Sequence, residues 1–353
     1  MRYISINLVE EGMKVAKTIF NEQGVALVNA NSQLSRAVIN KLEFLGYRGL
    51  LIDDQISIGI EYEENFVSQE LKTSISKRLI NALALHSKDE SFLYDEIDGL
   101  KEIISGIIEE MFIKKDLHLN LLELKMFDNY TYFHSVNVAI ISLAIAYKLK
   151  LNKNDMLIVG TAALLHDIGK IVVGKDILNK PGILSDEEYE IMKTHSKEGY
   201  DILSKSTSLS ARTTVSVLSH HEHYDGTGYP NGLCGDKIII FGRIISIADV
   251  YDALTSDRPY RKAYTVLEGI EFMMANSGKL FDPELVKIFT SKVYPYPVGS
   301  SVKLSNGEVG LIISNSAEVC LRPTIKILSG DNSKIVDLIN DKNYLSVIII
   351  GEM

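Results

Sequence analysis

Five of the chain's eight histidines fall, with two aspartates, into one ordered run. They are His134, the adjacent His166 and Asp167, His195, the adjacent His220 and His221, and Asp249. Imidazole and carboxylate donors with no thiolate among them suit iron or manganese better than structural zinc, which favours closed, cysteine-rich sites. An aspartate has two oxygens and can bridge two cations roughly 3.5–4 Å apart, the spacing that metal-assisted phosphoester hydrolysis uses. Asp167 is the expected bridge. The run predicts a two-metal hydrolase site.

Each residue alone has an ordinary explanation, and the placement on successive helices is what argues for a common purpose. His134 lies near the start of a helical pattern in which Val136, Ala139, Ile140 and Leu143 share a face. His166 and Asp167 emerge at the end of the apolar stretch "MLIVGTAALL". His195 is expected on one helix spanning "SDEEYEIMKTHSKEGYDIL", begun by a capping box of Ser185 and Glu188. His220 and His221 close the helix "RTTVSVLSHH", and neighbours about 100° apart can both face a bulky centre. His223 is read as solvated or loop-lining. Asp249 sits in the apolar helix "IISIADVYDALTS", where a carboxylate without a cation or hydrogen bonds is costly to bury. Asp252, one turn later, orients a ligand or a substrate, or stabilises the helix.

Lys170, three residues after Asp167, is placed to stabilise an oxyanion or assist a leaving alkoxide. Arg258 and Arg261 are the substrate-binding candidates, since guanidinium forks suit phosphate; the alternative is a pair of solvated arginines. Lys180 in the "KPG" turn is equally a surface lysine and stays outside the set. Gly226, Gly228, Tyr229 and Pro230 shape a loop directly after the paired histidines. It forms a pocket wall, contacts a partner or is a structural turn.

The 353 residues have room for two or three domains, and 46% hydrophobic content supports buried cores. Lys and Arg number 37 against 46 Asp and Glu, a net charge of −9 that argues against binding a nucleic acid polymer over a basic surface. Cys234 and Cys320 are far apart, which indicates no disulfide framework and fits a reducing cytoplasm. Glu10, Glu11 and Lys14 interrupt what a signal peptide needs. The apolar runs Val138–Tyr147 and Val347–Ile350 fall short of the roughly 20 residues of a membrane span.

The expected fold class is mainly α: an all-α helical core with a small N-terminal α+β module and a small C-terminal β-rich tail. Residues 1–60 combine the strand-like "GVALVNA" and "RGLLIDD" with a helix "SRAVINKLEFLGY" ending near Gly46. Residues 61–121 show amphipathic periodicity and read as a helical connector. Residues 122–294 repeat helix and turn. Residues 295–353 alternate as strands, with a hairpin turn at Asn306 and Gly307, then "TIKILSG" and "YLSVIII".

The strings "HDIGK" at 166–170, "KPGIL" at 180–184, "HHEHYDGTGYP" at 220–230 and "ADVYDALTSDRPYR" at 248–261 together closely resemble the HD-GYP family. This is a branch of the HD-domain phosphohydrolases whose better-known members hydrolyse cyclic di-GMP at a metal cluster in an all-α domain. The resemblance covers residues 122–294. It implies one metal held by His134, His166, Asp167 and Asp249, and a second held by Asp167, His195, His220 and His221. Some members have a glutamate one turn before the first histidine that helps hold a third metal; Tyr130 stands there in this chain, so two are expected.

The resemblance thus implies a cyclic di-GMP phosphodiesterase that uses a metal-activated hydroxide and yields pGpG, with the end product, pGpG or GMP, left open. It also implies a diguanylate cyclase domain as a partner for the loop at 226–230. Two alternatives stay open: a cyclic di-GMP receptor with little turnover, and a hydrolase acting on 3′,3′-cyclic GMP-AMP.

Overall fold

In a computed structural model of the chain, the described residues are 1–21, 25–60, 67–85, 90–113, 130–178, 180–256, 262–291, 294, 296–316, 319, 321–328 and 334–352. The chain is mainly helical and divides into two compact units, one built from residues in 1–65 and 290–353 and the other from residues in 66–117 and 130–289.

The first unit opens with β1 (Arg2–Ser5), β2 (Ile19–Phe20), β3 (Ala26–Val28), α1 (Arg36–Phe44) and β4 (Gly49–Ile52). β1 pairs antiparallel with β4, and β2 with β3. Ser35 caps α1 by accepting from the Val38 amide, and Gly46 lies just past its end at φ +88°. Ile4, Val15, Ile39, Leu42, Leu50 and Ile52 form the core of this part.

The second unit is helical and carries the whole histidine run. Its elements are α2 (Gln69–Leu85), α3 (Glu90–Ile113), α4 (Tyr130–Lys148), α5 (Lys153–Leu165), a 3₁₀ turn at Ile168–Ile171, α6 (Lys175–Leu178), α7 (Asp186–Lys193), α8 (His195–Leu203), α9 (Ala211–Ser219), α10 (Ile240–Thr255), α11 (Val266–Ala275) and α12 (Pro283–Thr290). α4 packs on α5 and α10, and α9 packs on α5, α8 and α10. These helices are apolar over much of their circumference; α5 buries every residue from Ile158 to Leu165. The stretch read as a connector supplies α2 and α3, which pack together and against α4 and α5 respectively. Among the described residues no helix is long and apolar enough to cross a membrane.

The single helix expected through His195 is two helices. Ser185 and Glu188 do form the capping box that starts α7, but α7 ends at Lys193, and Thr194, whose hydroxyl donates to the Ile191 carbonyl, joins it to α8. His195 therefore stands at the first position of α8.

The C-terminal segment returns to the first unit as β5 (Ser301–Leu304), β6 (Val309–Ser314), β7 (Thr324–Ile327), β8 (Ile335–Asp337) and β9 (Ile349–Glu352), an antiparallel sheet of order β8-β7-β6-β5-β9. The expected turn joins β5 to β6, with Gly307 at φ +89°. The strand expected from Tyr344 begins only at Ile349. Arg2 ties the two ends of the chain together, with Nε 2.8 Å from Asp54 Oδ2 and Nη1 3.4 Å from Ser301 Oγ.

Candidate active site

Four helix ends and two helix interiors bring the ordered run to one place. His134 comes from the first turns of α4, His166 follows the end of α5 and Asp167 leads into the 3₁₀ turn. His195 starts α8, His220 and His221 follow α9, and Asp249 projects from α10. Three overlapping triads have donor atoms within 4.8 Å of one another: His134, His166 and Asp167; His195, His220 and His221; and His166, His220 and Asp249.

The histidines are oriented by a shared local device. His166, His195 and His220 each direct Nδ1 to the backbone carbonyl three residues earlier, at Ala163 (2.8 Å), Met192 (2.7 Å) and Val217 (2.5 Å). A carbonyl only accepts, so Nδ1 carries the proton and Nε2 is left with its lone pair facing inward. His195 Nε2 and His220 Nε2 then lie 3.3 Å apart, lone pair towards lone pair, with both rings buried. His166 Nε2 is buried and makes no hydrogen bond, its nearest ion-pair contact being Asp167 Oδ2 at 3.4 Å. Unpaired imidazole acceptors converging on carboxylates are what a divalent cation satisfies, and the donor set fits one without thiolates.

Asp167 faces both groups. Its Oδ2 is 3.4 Å from His166 Nε2 and 3.9 Å from His134 Nε2, while Oδ1 is 3.5 Å from His195 Nε2. Asp249 Oδ1 lies 3.1 Å from His134 Nε2 and 3.8 Å from His166 Nε2. Burial works against the Asp167 carboxylate, but the neighbouring His166, Lys170 and His195 hold its pKa well below the usual range. Asp249 is likewise buried and is held low, chiefly by its hydrogen bond to His134.

Burial also sets the histidines apart. It depresses His195, and His220 further, with the other imidazoles adding to the effect; His221 falls to about 3 despite the opposing charge of Asp249. His134 goes the other way. Burial disfavours its charge, but hydrogen bonds and charges from Asp249 and Asp252 raise it to about 9.

Lys170 reaches back to Asp167, with Nζ 2.5 Å from Oδ2. Close packing fixes this turn, since a Cβ on Gly169 would overlap the His195 carbonyl oxygen. In the loop after the paired histidines, Gly226 adopts φ +86°, whereas Gly228 permits close backbone approach to His221 and His223. Tyr229 stacks on His221, with ring centroids 4.7 Å apart and an interplanar angle of 28°, its amide donating to the His221 carbonyl. Pro230 follows through a cis peptide bond and is exposed. Burial, reinforced by Tyr189, raises the Tyr229 phenol.

His223 donates or accepts through Nδ1 with Thr227 Oγ1 at 2.9 Å, in keeping with a loop residue. Lys180 Nζ is 2.6 Å from Glu188 Oε2 and serves the start of α7. Asp252 holds His134 in place: its Oδ2 is 2.8 Å from His134 Nδ1, and Oδ1 accepts from Asn137. Arg258 and Arg261 lie outside the described residues.

Sequence reasoning passed over Glu222. It is buried, and its carboxylate accepts from the amides of Asn231 (2.7 Å) and Leu233 (2.9 Å), clamping the far side of the loop. A glutamate beside exposed-looking polar residues carries no signal of that burial. Asn137, three residues after His134, could have been found as its neighbour on one helix face.

Residues 118–285 match the family model of the HD domain. The chain is 41% identical over 217 residues to a cyclic di-GMP phosphodiesterase of Pseudomonas aeruginosa, covering 62% of this chain and 52% of the relative. It is 40% identical over 194 residues to a cyclic di-GMP phosphodiesterase of Thermotoga maritima, covering 53% of each. A 3′3′-cGAMP-specific phosphodiesterase of Vibrio cholerae is 41% identical over 157 residues, 44% of this chain and 34% of that protein. The chain spans about half the length of the first two. A solved structure of an HD-GYP-type protein from Bdellovibrio bacteriovorus shares the fold, with a TM-score of 0.51 at 18% identity over 81% of this chain and 97% of that one.

Proposed function

We propose, from the premise that residues 118–285 are an HD domain of the HD-GYP type, that this chain is a metal-dependent phosphodiesterase that opens cyclic di-GMP, with pGpG or GMP as the end product. The observation that carries the reading is the facing pair of His195 and His220 Nε2 atoms beside an Asp167 whose two oxygens address different histidines. Catalysis is assigned to residues 122–294, with 1–60, 61–121 and 295–353 as flanking segments.

His134, His166, Asp167 and Asp249 would hold one ion, and Asp167, His195, His220 and His221 the other, both iron or manganese. Such ions, when bound, supply Lewis acidity that polarises a phosphodiester and acidifies water. Asp167 fixes the spacing of the two ligand groups. Lys170, already against Asp167, puts a cation where charge develops on the phosphoryl and leaving oxygens. Tyr229 closes one side of the cluster by covering His221, which keeps bulk water off that face. Arg258 and Arg261 are assigned to substrate phosphate. The exposed edge of the loop, Asp225, Thr227 and Pro230, is assigned to a diguanylate cyclase domain as partner.

The test is to incubate anaerobically purified, manganese- or iron-loaded protein with cyclic di-GMP beside an Asp167→Ala control, following pGpG and GMP by chromatography. Metal-dependent turnover lost in the control is expected. Tight binding without turnover would replace the reading with a receptor. The identity shared with a 3′3′-cGAMP-specific relative makes that nucleotide the second substrate to run, and preference for it would revise the substrate.

A further inference from the structure

We propose that Tyr189 and Lys193 form a recognition rim beside the cluster: Tyr189 stacks a purine base, and Lys193 takes the phosphate that is not being cleaved. This deepens the phosphodiesterase reading and rests on it.

The two residues are four apart on α7 and so share a face. Lys193 is two positions before His195, which ties the rim to the cluster through Thr194. Its Nζ lies 5.4 Å from the centre of the Tyr189 ring and 5.6 Å from that of Tyr229. Tyr229 in turn stacks on His221. The contacts thus run outward from the cluster in the order His221, Tyr229, Lys193, Tyr189.

Packing does not explain this arrangement. α7 has no buried residue, and Tyr189 leaves half of its surface to solvent. An aromatic face held open beside a phosphate-cleaving site is a stacking platform, since every base has a π-face to offer. Lys193 is a quarter exposed, and its carboxylate partner, Glu190 at 2.5 Å, is 69% exposed. Such a surface pair is held weakly and yields to a phosphate. The rings beneath the ammonium fix its position through cation–π attraction while its N–H groups stay available.

The chemistry of a cyclic dinucleotide calls for a feature of this kind. Only one of its two phosphodiesters occupies the cluster at a time, so the second phosphate and its purine must lie outside. Lys170 and Asp167 serve the first phosphate; Lys193 and Tyr189 stand further out with the matching charge and aromatic face.

The experiment uses the full metal-loaded chain and the variants Tyr189→Leu, Tyr189→Phe, Lys193→Gln and Lys193→Arg. KM and kcat are measured on cyclic di-GMP and on bis(p-nitrophenyl) phosphate, a diester with neither purine nor second phosphate. Affinity for a phosphorothioate analogue of cyclic di-GMP is read by calorimetry, and metal content by mass spectrometry. Loss of one base stack or one phosphate contact corresponds to about tenfold in affinity. Tyr189→Leu and Lys193→Gln are expected to raise KM and the analogue's Kd by about that factor. The loss of kcat/KM on cyclic di-GMP should exceed that on the small diester about tenfold, and Tyr189→Phe and Lys193→Arg should restore most of it. Unmoved KM and Kd, or equal losses on both substrates with loss of metal, would overturn the rim alone. A wild-type protein that cleaves only the small diester would overturn the phosphodiesterase reading and the rim with it.

Discussion

Asp252 and His134 are joined across two helices of the helical unit by a 2.8 Å contact between Oδ2 and Nδ1, with Asp252 fully buried. The contact sets which nitrogen of His134 faces the cluster, because Nδ1–H donates a hydrogen bond to Asp252 and Nε2 is turned towards Asp249 and Asp167. Asp252→Asn keeps the shape and removes the charge. Losing such a partner costs metal affinity about 10- to 100-fold. Metal titration of the variant should show that loss, with activity returning at higher metal; wild-type affinity would show that His134 needs no orienting carboxylate.

The Glu222 clamp gives a second prediction. Two backbone amides donate to one buried carboxylate, and each charge-assisted bond is worth roughly 1.5–3 kcal/mol. Glu222→Gln leaves a single good acceptor and turns an NH₂ towards an N–H. A loss of about 2 kcal/mol and a Tm lower by about 4–8 °C are expected. Tyr229 should lose its fixed place on His221 as well, so KM should rise even where the protein stays folded.

Gly169 is predicted to tolerate no side chain. The atoms a Cβ would meet are the His195 carbonyl oxygen and the Gly199 amide nitrogen, both backbone of α8. They cannot rotate away, so α8 must shift, carrying His195 with it. Gly169→Ala is expected to cost about 1–3 kcal/mol and to reduce bound metal. Thermal melts and metal content together check it; a melt and metal content like the wild type would contradict the packing.

Metal binding should release a proton at neutral pH. In the metal-free protein His134, raised to about 9, is protonated at pH 7, whereas Asp167, Asp249, His195, His220 and His221 are all shifted down and have none to give. Coordination through His134 Nε2 needs the neutral ring, so about one proton per chain should leave, and fewer as pH rises through about 9. Calorimetry in buffers of different ionisation enthalpy measures the number. The same shift gives the metal-free fold a stabilisation fully present below pH 6.5 and lost as pH rises through about 9.

Much of this protein was legible in one dimension. Periodic apolar residues marked α4, α5 and α10, Ser185 and Glu188 marked the start of α7, and Asn306 and Gly307 marked the hairpin of β5 and β6. These are local rules, set by residues a few positions apart, and local spacing encodes them. The donor types of the histidine run were equally plain, because a residue's ligand chemistry belongs to its side chain.

What the sequence left open depends on distances across the chain. The break at Thr194 was hidden because "KTHS" suits a helix interior as well as a junction, and only the packing of α8 against the 3₁₀ turn at Gly169 decides between them. The tertiary structure alone brought Asp252 of α10 to His134 of α4, and buried Glu222 beneath the loop it holds. Sequence determined which atoms can bind a metal or move a proton; the fold decided which nitrogen faces inward and which carboxylate is an orienter, because both follow from burial and from partners distant along the chain.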